Sequence, residues 1–134
     1  MTDATSDALA SNSPTPDSPT WWHRPIVPVL VVYWMAMLWG THRPPGPPGP
    51  DLHLDKVAHL GGFFGLAVLV GLTLHKYGRA IWIALPIVML YAAADELTQP
   101  SFGRTADPLD WIADGIGAVC GLLALRWALR TGRV

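Results

Sequence analysis

Long apolar stretches separated by short polar breaks dominate the chain. Residues 25–42, 57–75 and 80–94 hold no Lys, Arg, Asp or Glu. Crossing the ~30 Å hydrocarbon core of a bilayer takes about 20 mainly apolar helical residues, so each stretch predicts a transmembrane helix. The first covers about 25–40, with Pro25 and Pro28 near its start, where a missing N–H costs little. A signal-peptide reading of this run fails on its poor basic n-region and on the lack of a small-residue cleavage site before Thr41-His42-Arg43. The second helix covers about 54–74, and the third about 80–98 with a bend expected at Pro86. A fourth, about 109–129, is interrupted by Asp114 and Arg126, each near enough to an end to reach the interface.

The segments between these runs are equally distinct. Residues 1–20 are rich in Ser, Thr, Pro, Asp and Ala, and read as a disordered tail. Trp21-Trp22-His23-Arg24 has the make-up of an interfacial anchor, and Pro44-Pro45-Gly46-Pro47-Pro48-Gly49-Pro50 that of a stiff polyproline connector. The brief break at 75–79 makes the second and third helices an antiparallel hairpin, and a loop is expected over about 99–108. The fold class is therefore all-α. A disordered tail precedes a single membrane bundle of four transmembrane helices, residues 21–134. Gly61-x-x-x-Gly65 is expected to permit a close helix contact, and Gly117 and Gly121 to serve packing.

Composition narrows the function classes. Of 134 residues, 51% are hydrophobic and 14% charged, against roughly 25% charged in soluble domains. That argues against a soluble enzyme, and the net charge of −1 provides no field for nucleic acid. The single cysteine, Cys120, permits no internal disulfide and reads as a small buried packing residue. Four spans would place Arg24, Lys76, Arg79, Arg126, Arg130 and Arg133 on one side, and Arg43, Lys56 and Arg104 on the other. Basic residues favour the cytoplasmic side. Both termini are therefore expected in the cytoplasm, with the chain in the cytoplasmic (inner) membrane.

The acids are distributed differently. Outside the tail they are Asp51, Asp55, Asp95, Glu96, Asp107, Asp110 and Asp114, and in this topology all map to the outer ends of helices. With three basic residues there, the outer layer carries a net charge of −4. Insertion does not require this, because acids contribute little to topology. Helical spacing puts Asp55 with His59, Glu96 with Gln99, and Asp107, Asp110, Asp114, Gly117 and Gly121 on shared faces. Polar stripes on membrane helices face the bundle interior or a wet pocket. The candidate functional cluster is thus Asp55, Lys56, His59, Asp95, Glu96, Gln99, Arg104, Asp110 and Asp114.

Several of these have a structural alternative. Asp55 and Asp110 suit helix N-termini, Lys56 can snorkel, His59 can hydrogen-bond within the bundle, and Arg104 can be solvated. Asp95-Glu96 is harder to explain this way. Two adjacent carboxylates at a helix C-terminus oppose the dipole and each other. They require Lys56, Arg104, a held proton, a cation or a cationic ligand.

Asp55-Lys56-x-x-His59, the Phe63-Phe64 helix, Asp95-Glu96-x-x-Gln99, Phe102-x-Arg104, Asp110 and Asp114-x-x-Gly117-x-x-x-Gly121 together resemble the VanZ-like family of bacterial membrane proteins. The motifs span about 55–124, leaving the proline-rich loop and the tail outside. One departure is Asp114, where the pattern often has Asn. The resemblance implies a small multi-pass protein associated with low-level resistance to the glycopeptide teicoplanin. Its partners would be membrane lipids and a lipid-linked cell-wall precursor or glycopeptide. On this reading the acidic outer pocket binds a lipid-linked or headgroup ligand without catalysis, and the net −4 favours a cation-bridged or amine-bearing ligand over a bare pyrophosphate. The alternative is an intramembrane acid–base enzyme on a lipid-linked substrate, with Glu96 or Asp95 as base and His59 as acid. No phosphate loop, nucleophile motif or His-Glu-x-x-His spacing is present, so no catalytic residue, cofactor or metal ligand is assigned. Glu96, Asp110, Asp114 and His59 would nonetheless supply oxygen and nitrogen ligands if the spans brought them together.

Overall fold

The computed structural model describes residues 26–44 and 54–134, and every regular element among them is helical. Four α-helices follow one another: α1 (Ile26–Thr41), α2 (Leu54–Lys76), α3 (Ala84–Thr98) and α4 (Pro108–Arg130). The tail, the Trp21-Trp22 anchor, Asp51 and all of the proline-rich connector but Pro44 lie outside the described residues.

Three spans, Leu54–Lys76, Ile81–Phe102 and Pro108–Arg130, are long and apolar enough to cross a membrane, while α1 is a shorter apolar helix. The Ile81–Phe102 span differs from expectation at both ends. A 3-10 turn, Ile81–Ile83, leads into α3, so Pro86 lies in the first turn of the α-helix and the change of winding precedes it. A proline there forfeits no hydrogen bond that the helix would otherwise make. Beyond Thr98 a second 3-10 turn, Gln99–Phe102, occupies the start of the expected loop. It ends at Gly103, whose φ of +77° favours glycine. The reversal returns Arg104 N–H to the Gln99 carbonyl at 3.3 Å.

Each long helix buries one stripe, and each stripe changes character along its length. On α2 it is His59, Phe63, Leu66, Ala67, Val70 and Gly71. On α3 Ala84, Val88 and Ala92 lead to Asp95 and Glu96, and on α4 Leu125, Leu122, Gly121, Ala118 and Gly117 lead to Asp114 and Asp110. The apolar halves form one core, and the polar ends meet at the same end of the bundle. Outside, the chain is the reverse of a water-soluble protein: Leu90, Leu97 and Val32 are 73%, 80% and 69% exposed, while Asp114 is 0% exposed. A hydrocarbon solvent accounts for that inversion. Cys120 belongs to the exposed surface, contrary to the buried position expected of it.

The most extensive helix pairing is α2 with α4. Its close approach comes from Gly117 and Gly121, whose missing side chains leave room for the backbone at Leu60 and Phe64. The expected Gly61-x-x-x-Gly65 contact is replaced by another. Gly61 faces open space, whereas Gly62 and Gly65 lie against Met37 and Tyr33 of α1, and the Tyr33 hydroxyl donates to the Gly62 carbonyl at 2.9 Å. The stripe that meets α4 is displaced around α2 from those glycines.

Candidate functional site

The cluster is assembled at the start of α4. Asp107-Pro108 is an N-cap followed by proline at the first helical position, a combination that starts helices well. Asp107 Oδ1 accepts from Leu109 N–H at 2.9 Å, and its Oδ2 accepts from Lys56 Nζ at 2.6 Å. Its own N–H donates to Glu96 Oε2 at 2.9 Å. One residue therefore ties α2, α3 and α4 together. The Lys56 ammonium and the Leu109 N–H hold the Asp107 carboxyl below its ordinary value. Lys56 also donates to Asp110 Oδ1 at 2.8 Å.

Behind this rim is a buried centre. His59 Nδ1 is 2.9 Å from Asp114 Oδ1, and its Nε2 is 3.9 Å from Asp110 Oδ2. The ring stacks on Phe63, with centroids 6.3 Å apart. Glu96 faces the same space, so α2, α3 and α4 each contribute one buried ionisable group: His59, Glu96 and Asp114.

Asp95 belongs to a neighbouring cluster. Adjacent residues on a helix diverge by about 100°, so Asp95 and Glu96 point into different surroundings and the repulsion expected between them is relieved. Asp95 Oδ1 accepts from Thr41 Oγ1 at 2.8 Å and from the Tyr91 hydroxyl at 3.4 Å, and Oδ2 accepts from Gln99 Nε2 at 3.0 Å. His42 Nδ1 lies 3.5 Å away. Neutral donors supply most of the compensation for which Lys56 or Arg104 had been the candidates. Lys56 serves Asp107 and Asp110. Arg104 instead pairs with Asp55, at 3.1 and 3.2 Å to its two oxygens.

Two clefts open at this end, and the Asp55–Arg104 pair lines both. The first, about 400 Å³, lies between α1 and α2; Tyr33, Ala36, Met37 and Gly40 form its apolar wall, and Thr41, Arg43, Asp55, His59 and Arg104 its polar part. The second, about 680 Å³, is formed by the 103–107 turn with Asp55 and Asp110. The formal charges lining the first cleft are Arg43, Arg104 and Asp55. With two guanidinium groups against one carboxylate, its local balance is opposite to the net acidity of the layer; Asp107 and Asp110, which share the Lys56 ammonium, do not line it.

All nine candidates lie at one end of the bundle, divided among the rim (Asp55, Lys56, Arg104, Asp110), the centre (His59, Glu96, Asp114) and the Asp95–Gln99 pocket. Asp107, Thr41, His42, Arg43 and Tyr91 were not among them. The Asp-Pro pair before an apolar run signals the Asp107 cap. Thr41-His42-Arg43 is legible as the polar end of the first apolar run, but the cross-bundle partners of Thr41 and His42, Asp95 and Thr98, lie more than fifty residues away.

An all-helical bundle that is apolar outside, ionisable inside and equipped with three membrane-length spans is a membrane protein with its polar chemistry gathered at one end. The chain belongs to the VanZ/LLP1 family, whose profile matches residues 13–129. The match extends beyond the motif-bearing stretch to include α1, the proline-rich connector and part of the tail. No curated protein and no solved structure matches the chain.

Proposed function

We propose that this VanZ-like membrane protein binds the anionic head of a lipid-linked ligand at the outer face of the cytoplasmic membrane, and thereby contributes to envelope or glycopeptide tolerance. The observation carrying this reading is the amphiphilic cleft between α1 and α2. Its apolar wall suits a hydrocarbon chain, and Arg43 and Arg104 offer donors to a phosphate or carboxylate. The reading takes residues 21–134 as one four-span domain with both termini in the cytoplasm. Helix α1, about 24 Å long, runs beside α2 as its fourth span.

A polyprenyl-linked pyrophosphate and its headgroup-free phosphate are suitable probes. Retained lipid would be measured by native mass spectrometry of protein released from nanodiscs. A hydrogen bond to a charged group contributes about 1.5–3 kcal/mol, so Arg104→Gln is expected to weaken retention about 10-fold or more. Equal retention by wild type and the Arg43→Gln/Arg104→Gln double variant would overturn the reading.

One observation favours acid–base catalysis as a second reading. His59 lines the cleft while Asp114 holds its Nδ1 from behind, the arrangement that orients a histidine for proton transfer. The same incubation separates the two. Under catalysis the precursor emerges chemically changed, and His59→Asn abolishes that change while retention persists.

A further inference from the structure

His59 of α2, Glu96 of α3 and Asp114 of α4 are 4%, 8% and 0% exposed. Each can offer one ligating atom such that the three atoms lie within 4.8 Å of one another. A second observation, independent of their proximity, concerns satisfaction. Glu96 Oε1 and Asp114 Oδ2 are buried without a hydrogen-bond partner among the described residues. Native proteins seldom leave such atoms orphaned, and an ion is one of the standard explanations. Nearby donors are already engaged: Lys56 with Asp107 and Asp110, Arg104 with Asp55, Gln99 Nε2 with Asp95, and the Asp107 N–H with the other Glu96 oxygen.

We infer that His59, Glu96 and Asp114 form a binding site for a divalent transition-metal ion, held among three helices behind the amphiphilic cleft. A +2 ion balances two buried carboxylates, which a proton or a single ammonium does not. One imidazole nitrogen with two carboxylate oxygens suits Zn²⁺ or Mn²⁺ better than Ca²⁺ or Mg²⁺, whose sites are built from oxygen alone. Three protein ligands leave at least one coordination position open, and His59 lines the cleft through which an ion and water can reach it. The imidazole ligates in its neutral form: a proton on the ligating nitrogen of neutral His59 moves to the other ring nitrogen, and only an imidazolium would release one to solvent. The Asp107 N–H on Glu96 Oε2 is an outer contact of the kind that orients a ligating carboxylate. The site uses none of the cleft arginines, so it stands independently of lipid binding.

The test uses the full chain in detergent, stripped with a chelator and titrated with Zn²⁺ alone. Calorimetry, elemental analysis after dialysis and the unfolding midpoint would each be read. The expected result is a single Zn²⁺ retained per chain, a higher midpoint with Zn²⁺, and much weaker binding of Mg²⁺. Glu96→Gln and His59→Asn should each lower Zn²⁺ affinity by at least about 100-fold, more than the ~10–100-fold typical of an outer-shell change. Arg104→Gln should bind as wild type does. Glu96→Gln is the decisive variant, because a glutamine carbonyl can still accept from Asp107 and so preserve the fold. Co²⁺ substitution, with its visible ligand-field bands, would report a nitrogen–oxygen site lost in the same variants. Failure of the stripped protein to retain Zn²⁺, or unchanged affinity in Glu96→Gln, would overturn the site while leaving the arginine-based lipid reading untouched.

Discussion

Asp107 caps its own helix, accepts from the Lys56 ammonium and positions Glu96 through its N–H. A carboxylate with two donors directed at it is stabilised in its charged form, and its pKa lies below the ordinary 3.8. Because the folded value is the lower one, the contribution to stability is complete above the unfolded value and is lost as pH falls through the folded value. Acid titration of the unfolding midpoint should therefore show a decline below about pH 4 that is shallower in Asp107→Asn. An identical acid limb in the variant would show that the capping carboxylate does not govern acid stability. The neighbouring acids owe their roles to side-chain direction. Consecutive in sequence, Asp95 and Glu96 face different clusters, one satisfied by Thr41, Tyr91 and Gln99 and the other directed at His59 and Asp114.

Helix pairing depends on where glycine occurs relative to a facing backbone. A methyl group on Gly117 would run into the Leu60 carbonyl, and one on Gly121 would lie 2.5 Å from that of Phe64. Backbone cannot swing aside as a side chain does. Gly117→Ala is expected to cost about 1–3 kcal/mol, the usual range for overpacking. Nothing lies within 4 Å of a side chain added at Gly61, so Gly61→Ala should be neutral or stabilising by up to about 1 kcal/mol through helix propensity. Unfolding midpoints in the same detergent would separate the two. A reversed ranking would mean that α2 and α4 are not in the contact described. From the sequence, Gly61-x-x-x-Gly65 and Gly117-x-x-x-Gly121 are equivalent motifs; only the rotation of α2 about its axis distinguishes them.

Across the whole molecule, charge is polarised along the bundle. Acids gather with Lys56 and Arg104 at one end; at the other, Arg79, Arg126 and Arg130 surround a groove, and Arg126 and Arg133 lie over Trp82 and Trp127. This asymmetry supports an orientation with the basic end in the cytoplasm. In a Cys120→Ser background, Thr105→Cys should react with a membrane-impermeant thiol reagent in intact spheroplasts, whereas Gly132→Cys should react only after permeabilisation. The opposite pattern would invert the orientation and place the amphiphilic cleft on the cytoplasmic side.

The long helices and their buried faces were legible because length, apolar content and the three-or-four spacing are local properties. Asp55 with His59, and Asp110 with Asp114, could be read onto shared faces without knowing any neighbour. These local signals suffice to specify an all-helical membrane chain with its acids concentrated toward one end. Packing between helices sets the partners: Lys56 for Asp107 and Asp110, Arg104 for Asp55, Thr41 for Asp95, and His59 for Asp114. Each of those pairings joins residues about fifty apart, and it depends on the rotation and vertical register of helices packed against one another. Spacing along a single helix carries no information about either.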